Sequence, residues 1–117
     1  MSIPFIASVA ICAVEVATNP ELLASGKKAM RLALQSRFPE QHPLLLGEHL
    51  DYATLLVRSA TEAAARIDSG AISKDQALAE LQHSYQSFPS ESVGRALAYG
   101  VGAPNNSFKP KPLRGSA

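Results

Sequence analysis

Apolar residues recur at spacings of three and four through much of the chain, which is the period of an amphipathic α-helix. The clearest run lies between Leu44 and Asp68. There the apolar positions alternate spacings of four and three without a break, at Leu46, Leu50, Ala53, Val57, Ala60, Ala64 and Ile67. We call these seven residues the seam. Because its later positions are mostly alanine, we expect a partner helix to approach that half most closely.

The first apolar segment, residues 3–17, allows two interpretations. Its many valines and isoleucines suit a buried strand, whereas its regularly spaced alanines suit a helix. The length of the run favours a helix that is apolar on nearly every side and therefore central. A strand stays the alternative, although the sequence offers no obvious partner strand.

Start and stop signals predict a second helix between Asn19 and Phe38. Asn19 is a good N-cap, Pro20 suits the first turn, and Pro39 ends the segment. Gly26 is expected to weaken the middle of this helix and to bend it.

The remaining signals divide the rest of the chain into a helical hairpin and a last helix. Ser69-Gly70 predicts the end of the long helix, and Ser73 with Gln76 predicts a capping box for the next one. Ser90 is expected to cap the last helix, whose end we expect Gly100 and Gly102 to fray. The pattern as a whole predicts a small all-α bundle of four or five helices with short loops.

Composition supports one globular domain over residues 1–103. The chain has 117 residues, of which 46% are apolar and 18% are charged. The domain itself carries eight basic against ten acidic residues, so it lacks the strong basic surplus that is typical of a duplex-binding domain. We therefore do not expect nucleic acid as the main partner.

The cysteine content and the N-terminus predict a cytoplasmic protein without a membrane partner. Cys12 is the single cysteine, so no disulfide can form within the chain. It is expected to be a small buried hydrophobe, since no cationic neighbour is evident in the sequence. The apolar run around it is shorter than the roughly 20 residues of a membrane-spanning helix and has no positively charged leader.

The last fourteen residues, 104–117, read PNNSFKPKPLRGSA and differ from the rest. They contain three prolines and three basic residues but no acid, which predicts a disordered, basic tail. The string NNSFKPKPLRGSA closely resembles a tail found on many small bacterial proteins encoded on integron gene cassettes, where the reading frame runs into the recombination site. The resemblance covers this tail alone. It implies a mobile, horizontally transferred gene and supplies no functional residue.

Motifs for catalysis or for metal binding are weak. The segment Asp68–Gln76 is similar to half of a calcium-binding loop, but Ala65, Ile67 and Gln76 would occupy ligand positions that need oxygen donors. Glu48 and Asp51 can share a helix face, as solvated acids commonly do. The sequence contains neither a His-Glu-x-x-His string nor a Gly-rich phosphate loop. We expect no metal and no cofactor, and binding rather than catalysis.

Two groups of residues are the candidate sites. The first is a candidate pocket near the seam, lined by His49, Tyr52 and Tyr85. The second is a candidate contact for an anionic partner, formed by the only basic cluster of the domain: Lys27, Lys28 and Arg31.

These groups lead to three hypotheses. The first is an interaction module that forms a homodimer or binds another protein, because the long helix is expected to extend past its neighbours and to leave part of the seam uncovered. The second is a ligand-binding or enzymatic bundle that uses the candidate pocket. The third is a nucleic-acid-binding regulator, similar to an antitoxin, that uses the basic cluster.

Overall fold

The computed structural model describes residues 5–102, and it confirms the all-helical prediction for them. The six helices are α1 Phe5–Ala17, α2 Pro20–Ser25, α3 Lys27–Arg37, α4 Pro43–Asp68, α5 Lys74–Ser84 and α6 Ser90–Gly102. The first segment is thus a helix, and no strand occurs between residues 5 and 102. The predicted disordered tail, residues 104–117, lies outside the described residues.

A break at Gly26 divides the predicted second helix, so the described residues form six helices instead of four or five. The Asn19 side chain caps α2 as expected, accepting hydrogen bonds from the backbone N–H groups of Glu21 and Leu22. Gly26 then adopts a φ of 100°, a conformation that favours glycine, and this turn separates α2 from α3. The expected bend is therefore a complete interruption, because a left-handed residue cannot continue an α-helix.

Helix α4 is the centre of the bundle and packs against α1, α3, α5 and α6. Its seam is buried from Leu46 to Ala64 and half-buried at Ile67, which confirms the seam as core. The expected uncovered portion of the seam is absent, because helices of the same chain cover it.

Helix α1 is central only in its second half. Val9, Ala13, Val14 and Ala17 are fully buried, whereas Phe5 and Ile6 are each 49% exposed. The helix was expected to be covered on nearly every side. Its first turn instead extends beyond the core and presents apolar side chains at the surface.

Helices α4 and α5 form the predicted antiparallel hairpin. The guanidinium of Arg66 lies 3.3 Å from the carboxylate of Glu80, and Ser59 Oγ lies 2.7 Å from the hydroxyl of Tyr85. Later positions of α4 thus face earlier positions of α5. Gly70 forms the turn between them with a φ of 84°.

The N-terminus of α5 follows the prediction, and that of α6 does not. The side chain of Ser73 accepts from the backbone of Gln76, and the side chain of Gln76 accepts from the backbone of Ser73. In α6, Ser90 is the first helical residue rather than the cap. The carbonyl of Pro89 accepts hydrogen bonds from the N–H groups of Ser92 and Val93, so Pro89 occupies the capping position.

Gly100 brings α6 into close contact with α4. A Cβ atom added to Gly100 would lie 3.0 Å from the carbonyl oxygen of Ala60 and 3.2 Å from the Cα atom of Thr61. The close approach predicted for the alanine-rich half of the seam is therefore confirmed. The prediction that Gly100 frays the helix is wrong, because this glycine is buried within the helix contact.

Replacement of Gly100 by alanine should destabilise the protein, and the same change at Gly94 should stabilise it. Alanine favours a helix over glycine by about 1 kcal/mol, which is the expected gain at Gly94, where an added Cβ meets no atom within 4 Å. At Gly100 the added Cβ presses on the backbone of α4, and we expect a net loss of about 1 kcal/mol. Urea denaturation of both variants measures the difference. A Gly100→Ala variant as stable as Gly94→Ala would contradict the close contact.

Candidate functional site

A surface groove lies where the beginning of α1, the first half of α4 and the α5–α6 connection meet. We call it the aromatic groove. Its volume is about 470 Å³, within the range of small-molecule sites. Its wall combines apolar, aromatic, acidic and polar side chains, namely Ile6, Glu48, His49, Asp51, Tyr52, Leu55, Ser87 and Phe88.

Phe88 anchors the rings of this groove. Its side chain is only 5% exposed, and its ring centroid lies 5.1 Å from that of Tyr52 at an interplanar angle of 74°. His49 stacks on the same ring at 6.4 Å with an interplanar angle of 11°. Edge-to-face and stacked pairs at these distances are favourable aromatic geometries. The three rings therefore form a packed wall.

The structure brings together two of the three residues predicted to form a pocket. His49 and Tyr52 line the aromatic groove, and the rings of Tyr52 and Tyr85 are in contact, with centroids 5.4 Å apart. Tyr85 itself lines a separate cavity of about 240 Å³. Its hydroxyl is held there by a hydrogen bond that it donates to the carbonyl oxygen of Leu55 at 3.2 Å. Tyr85 thus packs against Tyr52 but does not itself line the aromatic groove.

Sequence reasoning missed four groove residues, namely Ile6, Leu55, Ser87 and Phe88. The sequence predicted a central helix around Ile6 and gave Leu55, Ser87 and Phe88 no role in a site. The only available signal was the position of Phe88 directly before Pro89, where the chain must turn. The neighbourhood of Ile6 and Leu55 depends on how α1 packs against α4, which spacing along either helix does not reveal.

Burial lowers the pKa of His49 below its ordinary value of 6.5, and the nearby carboxylate of Glu48 opposes this effect only in part. At neutral pH the imidazole is therefore uncharged. It forms part of the aromatic wall and adds no positive charge to the groove. The hypothesis that this histidine lines a pocket is consistent with the geometry, and its ring acts there as an apolar surface.

The charged residues of the groove are acidic. Glu48 and Asp51 line it, and no lysine or arginine from residues 5–102 does so. Asp51 also lies 2.6 Å from the ammonium nitrogen of Lys27 on α3. Both side chains of this pair are more than half exposed, so the pair contributes little to stability.

The predicted basic cluster is therefore partly neutralised by carboxylates of α4. Lys27 pairs with Asp51, and Arg31 lines a cleft of about 480 Å³ between α3 and α4 that also contains Glu48 and Asp51. Lys28 is exposed on α3. The three cations do not form one free basic face, because Lys27 is paired with Asp51 and Arg31 faces a cleft that also contains carboxylates of α4.

Cys12 lies outside both cavities. It is 6% exposed, as expected for a buried hydrophobe, but the expectation that no cation lies near it is wrong. Nη1 of Arg37 donates to Cys12 Sγ at 3.3 Å and to Glu15 Oε1 at 3.2 Å. Glu15 also lies 3.9 Å from Arg95. This group links α1, α3 and α6, and its role is structural.

Within residues 5–102, no group of three His, Cys, Asp or Glu side chains is placed to hold a metal ion. Across the same residues, no helix is long and apolar enough to cross a membrane. Comparisons of the chain with protein-family models, with curated proteins and with solved structures gave no match.

The lowered pKa of His49 predicts a pH-dependent loss of stability. The unfolded chain binds a proton at this residue more readily than the folded chain, so stability is complete above pH 6.5 and falls as the pH drops below that value. Melting temperatures between pH 7.5 and 5.5 should fall less in His49→Gln than in the wild type. His83→Gln, at an exposed position of α5, controls for the loss of a histidine as such. Equally steep profiles for wild type and His49→Gln would contradict the burial of the imidazole.

Proposed function

We propose that the protein is a non-catalytic binding module that takes a small ligand in the aromatic groove. The observation that carries the proposal is the exposed apolar surface around this groove. Ile6 and Leu55 are each 49% exposed and line the groove beside the rings of Tyr52 and Phe88. Apolar side chains grouped around a concave surface are typical of ligand sites.

The polar groups of the groove support binding more than catalysis. General base catalysis needs a group whose pKa lies near the working pH, and burial moves the pKa of His49 away from neutrality. A groove lined by rings, apolar side chains and two carboxylates favours recognition of shape and charge.

The C-terminal sequence supports a mobile gene as the source of this module. Because this tail resembles those of integron cassette proteins, the proposal includes that the protein is one of the small products that a bacterium acquires singly. A gene of this kind arrives without its neighbours. A module that binds a small molecule can act under those conditions, because it needs no host protein as partner.

Binding in the groove should be detectable with a set of aromatic fragments that includes cationic, neutral and anionic members. We expect at least one fragment to shift the backbone amide NMR signals of residues 48–55 and 87–88 at millimolar concentration, as is usual for ligands of this size. Leu55→Ser should weaken this binding several-fold. Leu44→Ser, at a position that is 73% exposed and outside the groove, is the matched control and should not.

Two results would contradict the proposed function. One is the absence of any groove shift with fragments of all three charges. The other is equal binding by the wild type and Leu55→Ser. Both variants alter exposed side chains, so their folds should persist, and circular dichroism verifies this.

Self-association is the second candidate function, and a different observation now favours it. The homodimer was first expected because part of the seam would be uncovered, and the structure shows that helices of the same chain cover it. The exposed Phe5 and Ile6, next to each other at the start of α1, provide an apolar surface that a second copy could cover symmetrically.

Sedimentation equilibrium tests for the homodimer. If self-association is the function, the apparent mass should rise above 12.4 kDa as the concentration increases from about 1 to 100 μM, because dimers of useful affinity form in this range. Phe5→Ser should return the mass to that of the monomer. A mass near 12.4 kDa at 100 μM would limit any dimer to about −5.5 kcal/mol or weaker, and the homodimer would then be rejected.

A further inference from the structure

We propose that the ligand of the aromatic groove is a small organic cation, such as a quaternary or aryl-substituted ammonium compound. This inference rests on the proposed function and adds the chemical class of the ligand. Three observations carry it: the arrangement of the rings, the sign of the charges in the wall, and the size of the groove.

The rings of Tyr52 and Phe88 meet nearly at a right angle, with centroids 5.1 Å apart. Because Phe88 is only 5% exposed and packs behind the half-buried Tyr52, a ligand in the groove meets chiefly the ring of Tyr52. The faces of aromatic rings carry partial negative charge, and they attract cations whose centre lies within about 6 Å of the ring centroid. A quaternary ammonium group has an apolar surface and a delocalised positive charge. It can therefore pack against the aromatic surface and be attracted to the carboxylates at the same time.

The wall supplies negative charge and lacks a competing cation. Glu48 takes part in none of the ion pairs found among residues 5–102, and Asp51 pairs only with Lys27. Lys27 and Arg31 approach these carboxylates from the α3 side and do not line the groove. His49 is uncharged at neutral pH. A cationic ligand thus gains attraction from Glu48 and meets no positive side chain in the wall.

The volume of about 470 Å³ suits a ligand with one or two rings. Ile6 and Leu55 provide contact for its hydrocarbon part, and Glu48 and Asp51 lie beside its charged part. An anionic compound of the same shape would place its charge against these carboxylates. A neutral compound of the same shape would keep the hydrocarbon contacts and lose the electrostatic attraction.

Two compounds of equal shape isolate the charge. In (4-hydroxyphenyl)trimethylammonium a charged nitrogen takes the place of the quaternary carbon of 4-tert-butylphenol. Titration of each compound into the full-length protein at pH 7, followed by amide NMR shifts of groove residues, gives both dissociation constants. We expect the cation to bind at least tenfold more tightly than its neutral counterpart, and 4-hydroxybenzenesulfonate to bind more weakly than either.

A matched pair of variants identifies the carboxylate. Glu48→Gln should reduce the affinity for the cation about threefold to fivefold and leave that for 4-tert-butylphenol unchanged. Glu62→Gln is the control, because Glu62 is also exposed on α4 but lies outside the groove, roughly 21 Å further along the helix at 1.5 Å per residue. This variant should bind both compounds as the wild type does.

Equal affinities of the cation and the neutral compound in the groove would overturn the cation preference and leave the proposed function standing. The same holds if the sulfonate binds most tightly, or if Glu48→Gln and Glu62→Gln behave alike. If none of the three compounds and no fragment of the mixed set binds in the groove, the proposed function fails as well. The two failures are therefore distinguishable.

Discussion

The contact between Gly100 and the backbone of α4 sets the distance between the two helices that organise the bundle. Because no side chain separates them at Ala60 and Thr61, α6 lies directly on the alanine-rich half of the seam. At its other end, α6 begins two residues after Phe88, whose ring packs against Tyr52. The close helix contact therefore also fixes where the chain enters α6, and with it the position of the ring that anchors the aromatic groove.

Local signals in the sequence predicted most of the helix boundaries, and long-range packing accounts for the errors. The cap at Asn19, the capping box at Ser73 and the stop at Gly70 are formed by residues within a few positions of one another. The two glycines that were misinterpreted show the limit of such reasoning. Gly26 ends a helix through its own backbone conformation, and Gly100 is required by an atom forty positions away. A sequence shows that a glycine is present but not what lies beside it.

The same limit applies to the candidate site: residues on one helix could be predicted together, and residues from other helices could not. His49 and Tyr52 stand close to the seam on one helix, so helical spacing was enough to place them together. Phe88 and Ile6 reach the groove from other elements, and only the packing of α1 and α6 on α4 brings them there. The ion pair within the basic cluster could not be predicted for a related reason, because the partner of Lys27 is Asp51, on a different helix.

The order of the helices has a consequence for how the chain folds. Phe88 lies near the first half of α4 and Gly100 near the second, so α6 runs parallel to α4. Helix α5, which lies between them in sequence, runs antiparallel to both. The α4–α5 hairpin can form from residues that are close in sequence. The α4–α6 contact must close a much longer loop before it gains any packing, and such contacts slow folding. The bundle therefore combines a hairpin closed by local contacts with a groove whose wall requires the chain to bring together residues as far apart as Tyr52 and Phe88.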